Sequence, residues 1–227
     1  MHTAVFAAFD RLCTAHRAGG VVLEIGATLS SDTLLNLPAL AGARERIGVN
    51  LSGGGARDGF RILQANANDL RVFPDMSFDT VLSNATLEHD ARFWLTVAEI
   101  RRVLKPGGLC VIGVPGYREH AAWTRRMTVR ASRVWRRPLP GARRLEALAA
   151  ATPTLLVHNY PGDFYRFSEQ AMRQVLLEGL AVLDVVSLLS PPRLVGVARR
   201  APDAAPALEP GETSGGNPPM NRRRTTL

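Results

Sequence analysis

The chain has 227 residues, 28 of them basic and 20 acidic, giving a formal net charge of +8, and 46% are apolar. That length suits one α/β domain whose core is held by burial, because two cysteines cannot build a disulfide framework or a four-ligand zinc site. The cysteines fit a reducing compartment, and the absence of any apolar run of roughly 18 residues excludes a helical membrane span.

The first twenty residues place Asp10 and Arg11 after a weak apolar run, unlike a secretory leader, so a cytoplasmic location is expected. Strand-length apolar runs then follow at Val21 to Ile25, Arg46 to Val49, Arg61 to Ala65 and Phe78 to Ser83. Between Ala91 and Leu104 apolar and charged residues alternate in a helical pattern, which Pro106, Gly107 and Gly108 stop. A fifth strand is predicted at Leu109 to Val114. A helix should start at the N-cap Ser168 and run to Glu178, ahead of two more strands at Leu180 to Leu188 and Leu194 to Ala198. Ser190, Pro191 and Pro192 leave no room for a crossover helix, so these last two strands should form an antiparallel hairpin. Near-continuous apolar strands separated by helices predict a mainly parallel sheet covered on both faces. Residues 1–200 read as one domain, and 201–227, rich in Pro, Gly, Ser and Thr, as a disordered tail.

The charge is local. Residues 118 to 144 hold nine arginines against Glu119 alone, a net of +8, so the rest of the chain is neutral. Trp123, Met127, Ala131 and Val134 recur there at helical spacing, as in a basic amphipathic helix or a solvated charged face. Lys105 is the only lysine, a bias that points to genome composition more than to chemistry.

Three blocks carry a family resemblance. LEIGATLS, Leu23 to Ser30, follows the first strand; NANDLRVFPDMSFDTVLSNATLEHD runs from Asn66 to Asp90; EIRRVLKPGGLCVIGVPGY runs from Glu99 to Tyr117. In this order and spacing they resemble the class I S-adenosylmethionine-dependent methyltransferases, in the small-molecule (type 11-like) branch. HNYPGDFYRFS, His158 to Ser168, is similar to members of the same branch. The resemblance implies a Rossmann-like, seven-stranded, mostly parallel α/β sheet with a C-terminal antiparallel hairpin. It implies S-adenosylmethionine as cofactor, with Glu24, Gly26 and Thr28 around its methionine part, Asn50 on the ribose, Asn66 and Ala67 on the adenine, and Asn84, Leu87 and His89 beside the methyl-donor end. The sequence departs from the family where Thr28 and Ser30 replace glycines and where Asn50 and Asn66 replace acids. A neutral amide still accepts a hydrogen bond, although a charge-assisted one is roughly twice as strong.

His158 is the candidate general base, since its ordinary pKa is near neutrality and it opens a dense block; His89 is a second candidate. The competing reading of the block is a structural clasp, with Asp163 paired to Arg166 and the aromatic residues packed. Tyr160 and Tyr165 either orient a substrate or pack. The five histidines show no metal-ligand spacing, so no metal is expected. Gly53, Gly54 and Gly55 read as a flexible loop. The first turn lacks the glycine pattern of a dinucleotide dehydrogenase. Asn84 is not followed by two prolines as in amide or adenine N-methyltransferases, and neither cysteine follows a proline as in cytosine C5 enzymes. These absences point to a small molecule rather than nucleic acid. The reading is methyl transfer to an oxygen or nitrogen of a small specialised metabolite, under a basic lid (118–150) whose Arg126, Arg130 and Arg133 favour an anionic substrate or an acidic carrier protein. The alternatives are the same fold without transfer activity and an RNA methyltransferase.

Overall fold

The structure, a computed structural model, describes residues 1–31, 33–57, 59–117, 162–189 and 192–202. The basic segment, with Arg126, Arg130 and Arg133, the pair His158 and Tyr160, and the tail from 203 onward therefore lie outside the described residues.

Among the described residues eight strands form one sheet in the order β3-β4-β2-β1-β5-β6-β8-β7. They are β1 (Val21–Ile25), β2 (Glu45–Asn50), β3 (Gly55–Arg57), β4 (Phe60–Gln64), β5 (Phe78–Asn84), β6 (Leu104–Pro115), β7 (Ala181–Leu188) and β8 (Arg193–Arg199). The central five strands are parallel: β1 pairs with β2 and β5, β2 with β4, and β5 with β6. β8 pairs antiparallel with both β6 and β7, so the expected closing hairpin is present. The sheet has one strand more than the sequence suggests. Gly55, read with Gly53 and Gly54 as a flexible loop, opens a short strand to Arg57 that pairs antiparallel with β4.

Strand residues alternate between two cores, as a pleated sheet covered on both sides requires. Leu23, Val81 and Ile112 face one core, Val22, Leu82 and Val111 the other. Helix α2 (Phe93–Val103) covers the first face with buried Val97, Ile100 and Val103. Helix α1 (Thr3–Ala15) covers the second through Val5, Phe9 and Leu12. Short 3-10 turns, Leu34–Asn36 and Pro38–Leu40, stand in the connection from β1 to β2, where Pro38 prevents a longer helix and Asp10 of α1 accepts from the Ala39 N–H at 2.8 Å. Arg199 pins the end of α1 to the sheet through the His16 carbonyl at 2.9 Å.

The helix expected from Ser168 to Glu178 differs in kind. Ser168 does cap it, accepting from Ala171 N–H at 3.0 Å, but α3 (Glu169–Ala171) passes directly into a π-helix, Met172–Leu176. The wider turn brings both Met172 and Leu176 into the core, Met172 against the bare Cα of Gly196.

Candidate active site

A cleft of about 650 Å³ opens at the carboxyl ends of β1, β2, β4 and β5. This is where the chain reverses direction across the sheet, running from β1 outward to β2 on one side and returning to β5 on the other. Its size is that of a small-molecule site.

The floor is the loop after β1. Gly26 and Ala27 donate their N–H groups to the Val49 carbonyl at 2.9 and 3.1 Å, which ties the loop to β2. Gly26 has φ +82, and a Cβ there would collide with the Thr86 hydroxyl, so only glycine lets the β1 and β5 loops meet. Where glycines are missing, Thr28 and Ser30 hydrogen-bond to each other at 2.5 Å.

Glu24 faces inward and does not line the cleft. Its carboxylate is buried, accepts from the Thr33 hydroxyl, and receives the Leu34 and Leu35 N–H groups at 3.1 and 3.2 Å. It caps the 3-10 turn after the loop. Burial raises its pKa to about 7 against the pull of these hydrogen bonds.

Asn50, at the end of β2, does line the cleft, but its amide is committed to the loops. It donates to the Ala27 carbonyl at 2.7 Å and accepts from the Ser52 N–H and hydroxyl at 2.9 and 2.8 Å. Asn66 and Ala67 line the neighbouring wall with Asn68. Asn66 uses its amide oxygen to accept from Asn68 N–H at 3.0 Å. Asn68 in turn donates to Asp90 at 2.7 Å, and Asp90 also accepts from the Thr96 hydroxyl at 2.7 Å and the Arg92 N–H at 2.9 Å. The sequence did not single out Asn68 or Asp90, whose link spans 22 positions of chain and exists only in the fold.

After β5, Ala85 adopts a left-handed φ of 53 and lines the cleft with Thr86 and His89. Asn84 and Leu87 stand behind this wall: Asn84 packs beside Gly113, and Leu87 is fully buried. Glu88 is also fully buried, and neither carboxylate oxygen has a hydrogen bond. Burial drives its pKa to about 7, with the charges of Arg193 and Arg166 acting in the opposite sense.

The 162–168 segment completes the wall. Asp163 and Arg166 are paired through both guanidinium nitrogens, one at 2.6 Å, as the clasp reading of this block requires. Tyr165 meets Phe93 edge to face and donates its hydroxyl to the Ala91 carbonyl at 3.0 Å, outside the cleft lining. Phe167 is buried, whereas Phe164 is 56% exposed and lines the cleft.

Among the described residues no cluster of histidine, cysteine or acidic side chains could hold a metal, and no helix is long and apolar enough to cross a membrane. Cys13 and Cys110 are buried thiols with pKa values raised to about 12 by desolvation, unsuited to nucleophilic work. A second cleft of about 470 Å³, near the amino ends of β5 and β6, holds Arg102 and Arg200. Arg102 is bonded to Glu99 and Asp75, and Arg200 to the Arg101 and Leu104 carbonyls, so both act as braces.

The main cleft suits an adenosyl cofactor in volume, position and polarity. Its walls combine backbone, three asparagines and small apolar residues, and its glycine loop allows close backbone approach. The ribose end carries an amide already in use rather than a free carboxylate.

Residues 33–112 match the methyltransferase domain family. Demethylmenaquinone methyltransferase of Symbiobacterium thermophilum is 35% identical over 107 residues, which span 42% of this chain and 42% of that enzyme. In structure, the chain is similar to 1,6-didemethyltoxoflavin-N1-methyltransferase of Burkholderia thailandensis, solved with 1,6-didemethyltoxoflavin and S-adenosylhomocysteine. The TM-score is 0.57 at 20% identity, covering 87% of this chain and 79% of that one. The [4+2]-cyclase SpnF matches with a TM-score of 0.58 at 14% identity, covering 88% and 82%.

Proposed function

We propose that this chain, which shares the fold of the class I S-adenosylmethionine-dependent methyltransferases, transfers a methyl group from that cofactor to an oxygen or nitrogen of a small molecule. The observation that supports this most is the single cleft shared by Gly26, Thr28, Asn50, Asn66, Ala67 and His89 across the ends of four strands. The bound sulfonium supplies an electrophilic methyl group; the protein has to align donor and nucleophile and receive a proton where one is released. Glu24 shapes the loop under the cofactor, Asn50 and Asn66 hold its polar groups, and Asn84 and Leu87 support the donor end from behind. His158 is the proposed base, with His89 as the alternative that stands in the cleft wall.

Residues 1–200 act as one catalytic domain, with 118–150 as a basic lid over the acceptor and 201–227 as an appended tail. Arg126, Arg130 and Arg133 favour an anionic acceptor, free or on an acidic carrier protein, and Tyr160 orients it, whereas Tyr165, held by the Ala91 carbonyl outside the cleft, packs instead. A cytoplasmic enzyme of specialised metabolism fits this reading. The Burkholderia relative, with its small heteroaromatic ligand, supports a small acceptor.

Calorimetric titration with S-adenosylmethionine and S-adenosylhomocysteine tests the cofactor. Binding of both is expected; none at millimolar ligand would overturn the reading. Charge reversal at Arg126, Arg130 and Arg133 should raise KM for an anionic acceptor at low salt, and an unchanged KM removes the lid role. A second reading, the fold with a different reaction, draws on the committed amide of Asn50 and on the likeness to a cyclase. It predicts cofactor binding without methyl transfer.

A further inference from the structure

Asn66 and Asn68 stand on one wall of the cleft, and their hydrogen bonds decide which atom each has left for a ligand. Asn66 is the residue that the family resemblance places on the adenine, yet its side-chain oxygen accepts from the Asn68 N–H at 3.0 Å. What remains of this amide is its NH2 group, a donor. It suits a ring nitrogen of a purine and cannot accept from an exocyclic amine.

Asn68 is the reverse. Its NH2 group donates to the Asp90 carboxylate at 2.7 Å and to the Thr96 hydroxyl at 2.8 Å, and that hydroxyl donates to Asp90 at 2.7 Å. An ionised carboxylate only accepts, so it fixes which end of the amide faces it, and the Asn68 oxygen is turned away from Asp90. The arrangement is firmly held: Asp90 also accepts from the Arg92 N–H at 2.9 Å, and Thr96 is fully buried on α2. Asn68 itself is half-buried, and its oxygen takes no hydrogen bond from the described residues while staying within reach of solvent.

We propose that Asn68 is a specificity-determining residue whose side-chain oxygen accepts from the adenine amine of the bound cofactor, with Asp90 and Thr96 as positioning residues that hold the amide in its accepting orientation. The inference rests on the cofactor reading above and deepens it. Asn66 holds the ring of the base, and the choice of an amino purine passes to Asn68. A 6-oxo purine would bring a carbonyl oxygen against the Asn68 oxygen, two acceptors with no proton between them, and both would stay unpaired.

Isothermal titration of the full chain with S-adenosylhomocysteine and with its 6-oxo analogue, S-inosylhomocysteine, decides the matter, and no methyl acceptor has to be known. The wild type is expected to prefer the amino ligand about tenfold. Asn68→Ala should reduce that preference to about twofold or less, chiefly by weakening the amino ligand. Asn66→Ala should keep the wild-type preference, because it removes no acceptor that the amine uses. Asp90→Asn is isosteric and leaves Asn68 in place but no longer dictates its orientation, so it should lower the preference part of the way. This variant carries the test if circular dichroism shows that Asn68→Ala has lost its fold. Equal weakening of both ligands in Asn68→Ala, with the preference kept, is the mark of a mere brace and overturns the inference. A preference that collapses in Asn66→Ala and survives in Asn68→Ala overturns it too, as does a wild type that binds both ligands equally. An unchanged preference in Asp90→Asn removes the positioning role of Asp90. A wild type that binds neither ligand overturns the cofactor reading itself, and this inference with it.

Discussion

The Glu88 carboxylate and the Arg193 guanidinium approach to 3.8 Å without a hydrogen bond between them, and Glu88 is wholly buried. A buried charge without hydrogen bonds is costly, so the acid favours its protonated form and its pKa rises from 4.5 to about 7. The linkage has a definite sign. Folded Glu88 holds its proton more tightly than unfolded Glu88, so its favourable contribution is complete below about pH 4.5 and is lost as pH rises through about 7. Glu88→Gln, which mimics the protonated acid, should match the wild type near pH 4.5. It should exceed the wild type by up to about 3 kcal/mol above pH 8, an upper bound taken from the size of the shift. Denaturant unfolding at several pH values measures this, and a stability difference that does not change with pH would refute it.

Asn50 allows a less obvious test. An acid at this position would restore the charge expected by family resemblance, yet the side-chain nitrogen donates to the Ala27 carbonyl at 2.7 Å. A carboxylate cannot donate there and would face a carbonyl oxygen instead. Asn50→Asp should therefore lose about 1–2 kcal/mol of stability and weaken S-adenosylhomocysteine binding at pH 7, despite its charge. Tighter binding by calorimetry would show that the amide reorients freely.

Gly26→Ala places a methyl group against the Thr86 hydroxyl at a backbone φ of +82. The strained conformation alone costs on the order of 1 kcal/mol. The collision adds to it and drives the β1 loop away from Thr86, so loss of ligand binding should accompany a lower Tm. Combining it with Thr86→Ala should recover part of the stability, which differential scanning fluorimetry would detect.

Ala85 presents the reverse case. It holds φ 53 at the end of β5, a conformation that glycine adopts without penalty. Ala85→Gly should leave the fold as stable as the wild type or up to about 1 kcal/mol more stable. A clear loss of stability in denaturant unfolding would mean that the methyl group packs usefully.

The framework was legible because it rests on local signals. Buried parallel strands show as near-continuous apolar runs, and the Pro191–Pro192 turn admits only a hairpin between β7 and β8. The π-helix was not legible: Met172 to Leu176 has ordinary helical composition, and its wider turn follows from where β8 offers a bare glycine. Gly55–Arg57 became a strand for a similar reason, since an open edge rather than its own propensity recruits it. In the cleft, the sequence identified Gly26, Asn50 and Asn66 through motifs but gave no sign that Asn50 is occupied by Ala27. Phe164 was grouped with residues that pack, because only the position of Gly162 and the Glu88 carbonyl turns its ring outward.

The irregular pairing of β7 bears on how the protein behaves in a crowd of its own copies. This eight-residue strand ends the sheet, and its ladder slips between Val182 and Asp184. A slipped, twisted edge carrying a carboxylate is a poor template for another strand. Leu183 and Leu189 are exposed beside it, so the edge would otherwise be adhesive. Asp184 thus works as a gatekeeper, and Asp184→Val should leave the cleft intact while making the protein precipitate on mild heating, a change that light scattering would register.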